Sequence, residues 1–203
     1  MVARGFTNVG RSLGIRMVNG MEKIYYSGLE TPLGTMWAAT SGKGLVQFHI
    51  SGNKENFMSE LKTRIKAEYV EEPSKFNELK SQLDRYFKGE RLIFEVPFDM
   101  RGTPFQVAVW KAIYSIPYGK LTSYGGIAKH IGRPKAVRAV GNAVGDNPMG
   151  LVVPCHRVVS SDGGIGGFGG GLEWKRKLLA QEGILGSSRG KPETGVDLRR
   201  FFK

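Results

Sequence analysis

Cysteine is almost absent from this chain. Its 203 residues contain one, Cys155, and only three histidines. A lone thiol excludes an intramolecular disulfide and any zinc site made of several cysteines, so no metal and no cofactor is expected, and a reducing cytoplasm is the expected compartment. Acidic residues are also scarce: 18 Asp and Glu stand against 30 Lys and Arg, a formal charge of +12. That surplus suits a polyanionic partner, because each phosphate neutralised releases condensed counterion. A protein that is merely basic and soluble would carry it equally well. Long apolar runs are missing, and none approaches the ~20 residues that a bilayer requires. The first twenty residues, MVARGFTNVGRSLGIRMVNG, lack the apolar centre of a secretory signal. No membrane association is expected.

What is present falls into two halves. Residues 22 to 50 alternate apolar and polar residues between glycines, in EKIYYSGLE, TPLGTMWAAT and GLVQFHI. They predict an antiparallel meander that turns at Leu29–Gly34 and Ser41–Gly44. Residues 54 to 68 and 74 to 88 carry helical spacing. In the second, Phe76, Leu79, Leu83 and Phe87 share one face, and Gly89 is placed to cap it. EVPFDMRG predicts a short strand and then a linker, with a domain boundary near residues 99 to 103.

The second half opens on Thr103-Pro104-Phe105-Gln106, which is an N-cap, a proline at the first helical position and a capping-box glutamine. That helix carries Val107, Trp110 and Ile113 and stops before Pro117. Ser123 predicts the cap of a short helix, SYGGIAKHIG, and Pro134 the start of another, PKAVRAVGNAVG. Two short helices joined by a glycine-containing turn read as helix-turn-helix. In the second helix Val137, Val140 and Val144 are expected to face the core, while Lys135, Arg138 and Asn142 share another face. The rest is small: Ala136, Ala139, Gly141, Ala143 and Gly145. Gly141 costs about 1 kcal/mol relative to alanine, which points to close approach, either to another helix or to a DNA groove with Arg138 as the probe.

Cys155 lies in VVPCHRVVS, directly before His156. A free thiol ionises near pH 8.5, so a nucleophilic cysteine needs a base or a positive neighbour. Adjacent side chains on a regular strand point to opposite faces, so the pair needs a bend or a bridging water. Pro154 and the upstream Asn147-Pro148 supply reasons for a bend. His156 would in turn need an orienting carboxylate. Asp162, Glu173 and Glu182 are the downstream choices, and the pattern alone does not select one. The plain alternative is a small buried cysteine. SDGGIGGFGGG then packs seven glycines into eleven residues, a backbone able to approach a flat ligand. EWKRKLLAQEG returns to a helix, with Leu178 and Leu179 inward and Gly183 as its stop.

PCHRV, preceded by SYGGIAKHIGRPKAVRAVGNAV and DNP and followed by GGFGGGLEWKRKLLAQEG, resembles the O6-alkylguanine-DNA alkyltransferase family. The motifs keep the family's order from about Thr103 to Gly183, whereas residues 22 to 99 fit its N-terminal domain only in layout. The resemblance implies an α+β protein. A ribonuclease H-like antiparallel sheet with helices would occupy residues 21 to 100, and a winged helix-turn-helix-like domain residues 101 to 184. Residues 1 to 20 and 185 to 203 are expected to be mobile extensions.

The resemblance also implies the chemistry. Cys155 would take an alkyl group from guanine O6, or from thymine O4, in double-stranded DNA and keep it as a thioether, once per molecule. His156 would act as base through a water, oriented by Glu182. Tyr124 would protonate the departing guanine, and Asn147 would be the hinge of the active-site turn. Arg138 would fill the space left by the flipped nucleotide, with Lys135, Ser123, Ala136 and Ala139 also at the DNA. The carbonyls of Cys155 and Val158 would accept from the guanine amino group, and the Gly169 amide would lie near O6. Phe168 and Gly150 would wall the base pocket. Some relatives carry Ser at Gly169 and Pro at Gly150, so these two positions bear on the size of alkyl group accepted. A monomer is expected. Arg157 is read as a structural ion-pair partner, and His49 and His130 receive no role. Three rivals remain: a lesion-sensing alkyltransferase-like binder, whose relatives lack the cysteine; a cysteine hydrolase, which would turn over; and a helix-turn-helix regulator.

Overall fold

The computed structural model describes residues 21–50, 52–188, 191–192 and 198–202. The expected extension over residues 1 to 20 lies outside them. Three strands form the predicted meander: β1 (Lys23–Thr31), β2 (Gly34–Thr40) and β3 (Leu45–His49). Tyr25 lies opposite Thr40, and Trp37 opposite His49. Helix α1 (Lys54–Arg64) is capped by the Asn53 side chain, which accepts from the Asn56 amide. It ends earlier than the spacing predicts, because Glu68–Glu71 form a fourth strand, β4, parallel to β1. The sheet order is β3-β2-β1-β4, so the sheet is mixed rather than wholly antiparallel. EYVE sets its two apolar residues, Tyr69 and Val70, side by side and so shows no period of two, which is why it gave no strand signal. Helix α2 (Asn77–Phe87) follows a short 3-10 turn, and Gly89 sits just past its end at φ +88°.

The two faces of the sheet bury different residues, as the alternation of strand side chains requires. Ile24, Ala39 and Val46 pack with Phe57, Leu61 and Ile65 of and beside α1. Met36, Ala38, Leu45 and Phe48 face a larger core that runs through α2 and on into the second half, to Trp110, Val140, Met149 and Val158. One apolar cluster therefore crosses the boundary expected near residues 99 to 103. EVPFDMRG forms no strand; Phe98 makes only a single bridge to Leu45.

In the second half α3 (Pro104–Tyr114) begins with the predicted capping box on Thr103 and Gln106. Strand β5 (Thr122–Ser123) leads into α4 (Tyr124–His130), capped by Ser123, and α5 (Val137–Gly145) packs against it. Pro134 does not start α5. The Ala136 amide donates to the Arg133 carbonyl in a turn, and the helix begins at Val137. Val137 is consequently exposed, while Val140 and Val144 are buried. The buried Trp110 indole donates to the Ala143 carbonyl at 2.8 Å and ties α3 to α5. A 3-10 turn at Cys155–Arg157 precedes β6 (Val158–Val159), which pairs with β5, and α6 (Leu172–Gln181) closes the domain. Strands β7 (Ser187–Ser188) and β8 (Lys191–Pro192) pair with each other.

Part of the expected tail, residues 198–202, packs on the core. Leu198 is buried against Leu121, Val159 and Leu179, and the Leu121 amide donates to the Phe201 carbonyl at 2.9 Å. Three apolar residues in LRRFF find a core edge that no periodicity advertised. None of the described helices is long and apolar enough to cross a membrane.

Candidate active site

The stretch around Cys155 is a turn, not a strand. Pro154 cannot donate to a ladder, and the chain folds instead so that the Arg157 amide donates to the Pro154 carbonyl and the Val158 amide to that of Cys155. This bend sends Cys155 and His156 different ways. Upstream, Asn147 clamps the loop: its amide donates to the Val153 carbonyl at 2.8 Å and its oxygen accepts from the Met149 amide at 3.1 Å. The same side chain favours the ionised form of Cys155. Leu151, between these contacts, is the only described non-glycine residue with positive φ, at 72°. The N-terminal sheet braces the turn from outside, because the Phe48 amide donates to the Pro148 carbonyl at 2.7 Å.

The two residues that follow Cys155 in the turn enter a buried polar network. His156 Nε2 is 2.7 Å from Glu182 Oε1. The Arg157 guanidinium donates to both Glu182 oxygens at 2.8 to 3.1 Å and to the Ile116 carbonyl at 2.7 Å. The Gly119 amide and the Tyr86 hydroxyl complete the carboxylate's shell at 3.0 and 3.1 Å. Burial alone would push the Glu182 carboxyl up; His156 and Arg157 outweigh it and hold it down at about 2. Burial drives His156 the other way, below its ordinary value, so the imidazole is neutral near pH 7 and Arg157 is the standing countercharge. With the Nε2–H donating to Glu182, His156 Nδ1 is left as a lone pair, and it is buried without a hydrogen-bond partner among the described residues.

Cys155 itself is buried, which raises its pKa; the Asn147 amide and the Lys175 ammonium pull against that rise. Lys175 has no exposed surface. Its Nζ donates to the Val158 carbonyl at 2.6 Å and the Gly167 carbonyl at 3.1 Å, so it straps the glycine-rich loop to β6. Burial lowers the Lys175 ammonium to about 8. The half-buried Tyr124 hydroxyl also lies at the Gly167 carbonyl, 3.5 Å away. Gly166 turns the loop there at φ +69°, and a Cβ at that position would stand 2.9 Å from the Tyr124 oxygen. Only glycine fits both demands.

The fold thus gathers most of the expected residues. Cys155, Asn147, Gly150, Phe168 and Gly169 line one cleft of about 360 Å³, while His156 and Glu182 pair with each other at 2.7 Å and do not line it. Val158 offers a carbonyl already bonded to Lys175, and that of Cys155 already accepts from the Val158 amide. Lys135, Arg138 and Ala139 are exposed on and before the first turn of α5, away from the cleft, while Val144 and Gly145 at its far end reach the cleft wall. Ala136 is half-buried ahead of α5, and the Ser123 hydroxyl accepts from the Gly126 amide as the cap of α4. Asp162 caps the Gly164 amide and Glu173 pairs with Lys177, so neither meets His156. Sequence reasoning missed Lys175 and Tyr86. A signal existed for Lys175, which stands three and four residues before Leu178 and Leu179 on the inward face of α6. Tyr86 likewise falls three residues after Leu83.

Comparison with known proteins places both halves. Residues 24–100 match the family model of the 6-O-methylguanine DNA methyltransferase ribonuclease-like domain, and residues 104–184 that of its DNA binding domain. The chain is 39% identical over 184 residues to the methylated-DNA–protein-cysteine methyltransferase of Haemophilus influenzae, covering 90% of this chain and 98% of that one. It is 40% identical to the Mycobacterium bovis protein of the same name, covering 78% and 92%. A solved structure described as Mycobacterium tuberculosis OGT in complex with DNA superposes with a TM-score of 0.68, at 40% identity over 78% of this chain and 92% of that chain. With that identity held across nearly the whole length of its relatives, the chain belongs to the methylated-DNA–protein-cysteine methyltransferase family.

Proposed function

We propose that this chain repairs double-stranded DNA by moving the alkyl group of an O6-alkylated guanine onto Cys155, as a monomer of two units, residues 21 to 100 and 101 to 184. The observation that carries the reading is the arrangement at the residue that follows the chain's one thiol. A buried carboxylate fixes the His156 tautomer, and the lone pair this leaves on Nδ1, one residue along from Cys155, has no hydrogen-bond partner among the described residues.

The target carbon is inaccessible inside a stacked duplex, so the nucleotide is extruded at a cost of a few kcal/mol. The α4–α5 unit meets the duplex, and Arg138 fills the vacated position from the exposed face of α5. His156 Nδ1 takes the thiol proton, directly or through one water. The thiolate attacks the alkyl carbon; the C–S bond forms as the C–O6 bond breaks, and the electron pair leaves with guanine. Tyr124 protonates the departing base and recovers its proton from solvent. Burial raises the Tyr124 pKa, which keeps it a proton carrier at neutral pH. Asn147 and Lys175 offset part of the cost of a buried thiolate. A thioether is a poor leaving group and no second thiol exists to displace it, so each molecule acts once. Counting dealkylated guanine against protein tests this: the yield should stop at one equivalent, and steady release beyond it would overturn the reading.

A further inference from the structure

Tyr86 is a titratable side chain with no exposed surface, and no step of the transfer uses it. It stands in the last turn of α2, in the N-terminal half, yet its hydroxyl donates to Glu182 Oε1 at 3.1 Å, across 96 positions of sequence. That is the oxygen that accepts from His156. Burial, and then the neighbouring carboxylate, push the phenol pKa well up, so the group is a neutral donor at pH 7. Its ring is held by those of Phe87, Phe94 and Tyr118, with centroids 5.2 to 5.8 Å away.

The same end of α2 also grips the residue before Glu182. The last carbonyls of a helix have no acceptor role within it, and the Gln181 side-chain amide donates to those of Tyr86 and Phe87 at 3.1 and 3.3 Å. The Gln181 carbonyl in turn accepts from the Tyr118 hydroxyl at 2.8 Å, and the Arg157 guanidinium lies over the Tyr118 ring, 5.8 Å from its centroid. The end of α6 that carries the carboxylate is thus held from the N-terminal half by one contact to Glu182 and two to Gln181. We infer that Tyr86 is a positioning residue of the transfer reaction: it fixes Glu182 Oε1 against His156 from the other half of the molecule and, as a further donor to that oxygen, draws off part of the negative charge that the imidazole meets. The inference rests on the transfer reaction proposed for Cys155.

Tyr86→Phe keeps the ring and removes only this donor. Glu182 then holds the His156 proton more tightly, the imidazolium forms more readily, and the neutral base is lost at a higher pH. The groups around the pair are Arg157, Lys175 and Tyr118, with Arg91 beyond Tyr118 and Cys155 next in the chain; the substitution alters none of them. Single-turnover transfer from a duplex containing O6-methylguanine would be followed against pH for wild type, Tyr86→Phe and Gln181→Ala, with melting temperatures and the proton resonance of His156 Nε2–H recorded for each. In Tyr86→Phe the rise of rate with pH should move up by about one unit, an effect of about tenfold on the rising part and somewhat less than one hydrogen bond to a charge is worth. The Nε2–H resonance should move downfield as its acceptor strengthens. Gln181→Ala breaks the other arm of the grip and should melt lower with neither change. A profile or a resonance that stays in place in Tyr86→Phe, or equal shifts in Gln181→Ala, would overturn the inference. If the wild type transfers no alkyl group, the reaction assigned to Cys155 fails, while the resonance still decides whether Tyr86 acts on His156.

Discussion

Replacing Glu182 by glutamine separates the carboxylate's two duties. It accepts from His156 at 2.7 Å, three times from Arg157, and once each from Gly119 and Tyr86. Glutamine keeps the shape but turns one acceptor into a donor, which then faces at least one of those donors. Losing a hydrogen bond to a charged group costs ~1.5–3 kcal/mol, and leaving a buried guanidinium without its counterion costs ~3–5 kcal/mol. The first cost falls on the His156 tautomer. Transfer should slow by about ten- to a hundredfold. The second falls on folding, and at ~2–4 °C per kcal/mol the melting temperature should drop by roughly 10 °C or more. Single-turnover transfer would be followed well below that midpoint, with circular dichroism confirming the fold. In a His156→Ala background the same substitution should add little, because the two act as one unit. A folded Glu182→Gln protein with the wild-type rate would refute the reasoning, as would a double variant whose loss equals the product of the single losses.

Four further outcomes are expected. Cys155→Ser should abolish transfer yet retain lesion binding in a gel-shift assay, since a hydroxyl is too weakly acidic for this base; a serine variant that accepts alkyl would contradict the mechanism. Arg138→Ala should slow repair of duplex DNA by at least about tenfold while sparing reaction with a free alkylguanine base, which needs no flipping; equal losses on both substrates would remove its flipping role. The transfer rate of the wild type should rise with pH, because burial raises the thiol pKa, and Lys175→Met should move that rise to higher pH; an unshifted profile would mean that Lys175 only straps the loop. Glu182 is held at about 2, below its unfolded value, so its stabilisation is complete above about pH 4.3 and is lost as pH falls through the folded value. This linkage is worth about 3 kcal/mol, and acid denaturation of Glu182→Gln, followed by tryptophan fluorescence, should be correspondingly flatter.

The parts of this molecule that announce themselves in sequence are those whose cause is local. The Thr103–Gln106 capping box, the Ser123 cap and the glycine stops at Gly89 and Gly183 are all set by a few adjacent residues, and each stands where the spacing puts it. β4 does not announce itself, because it exists only through pairing with β1, more than forty residues away. The late start of α5 and the docking of Leu198 depend on tertiary contacts in the same way. At the site, the adjacency of Cys155 and His156 was legible, but the residue pattern did not choose the carboxylate, and only the family resemblance pointed to Glu182. Glu182 reaches His156 only because α6 returns across the 3-10 turn, and its charge is balanced by Arg157, which sequence reading left as an unspecified ion pair. Lys175 went unread because a lysine among charged neighbours looks solvated until its place on the inward face is counted.

The most direct measurement of the central claim is the intact mass of the protein after incubation with duplex DNA containing O6-methylguanine, followed by a peptide map. The account predicts a gain of one methyl group per molecule, located on Cys155, with the guanine in the DNA restored. An unchanged mass while methylguanine disappears, or a methyl group on any other residue, would contradict it.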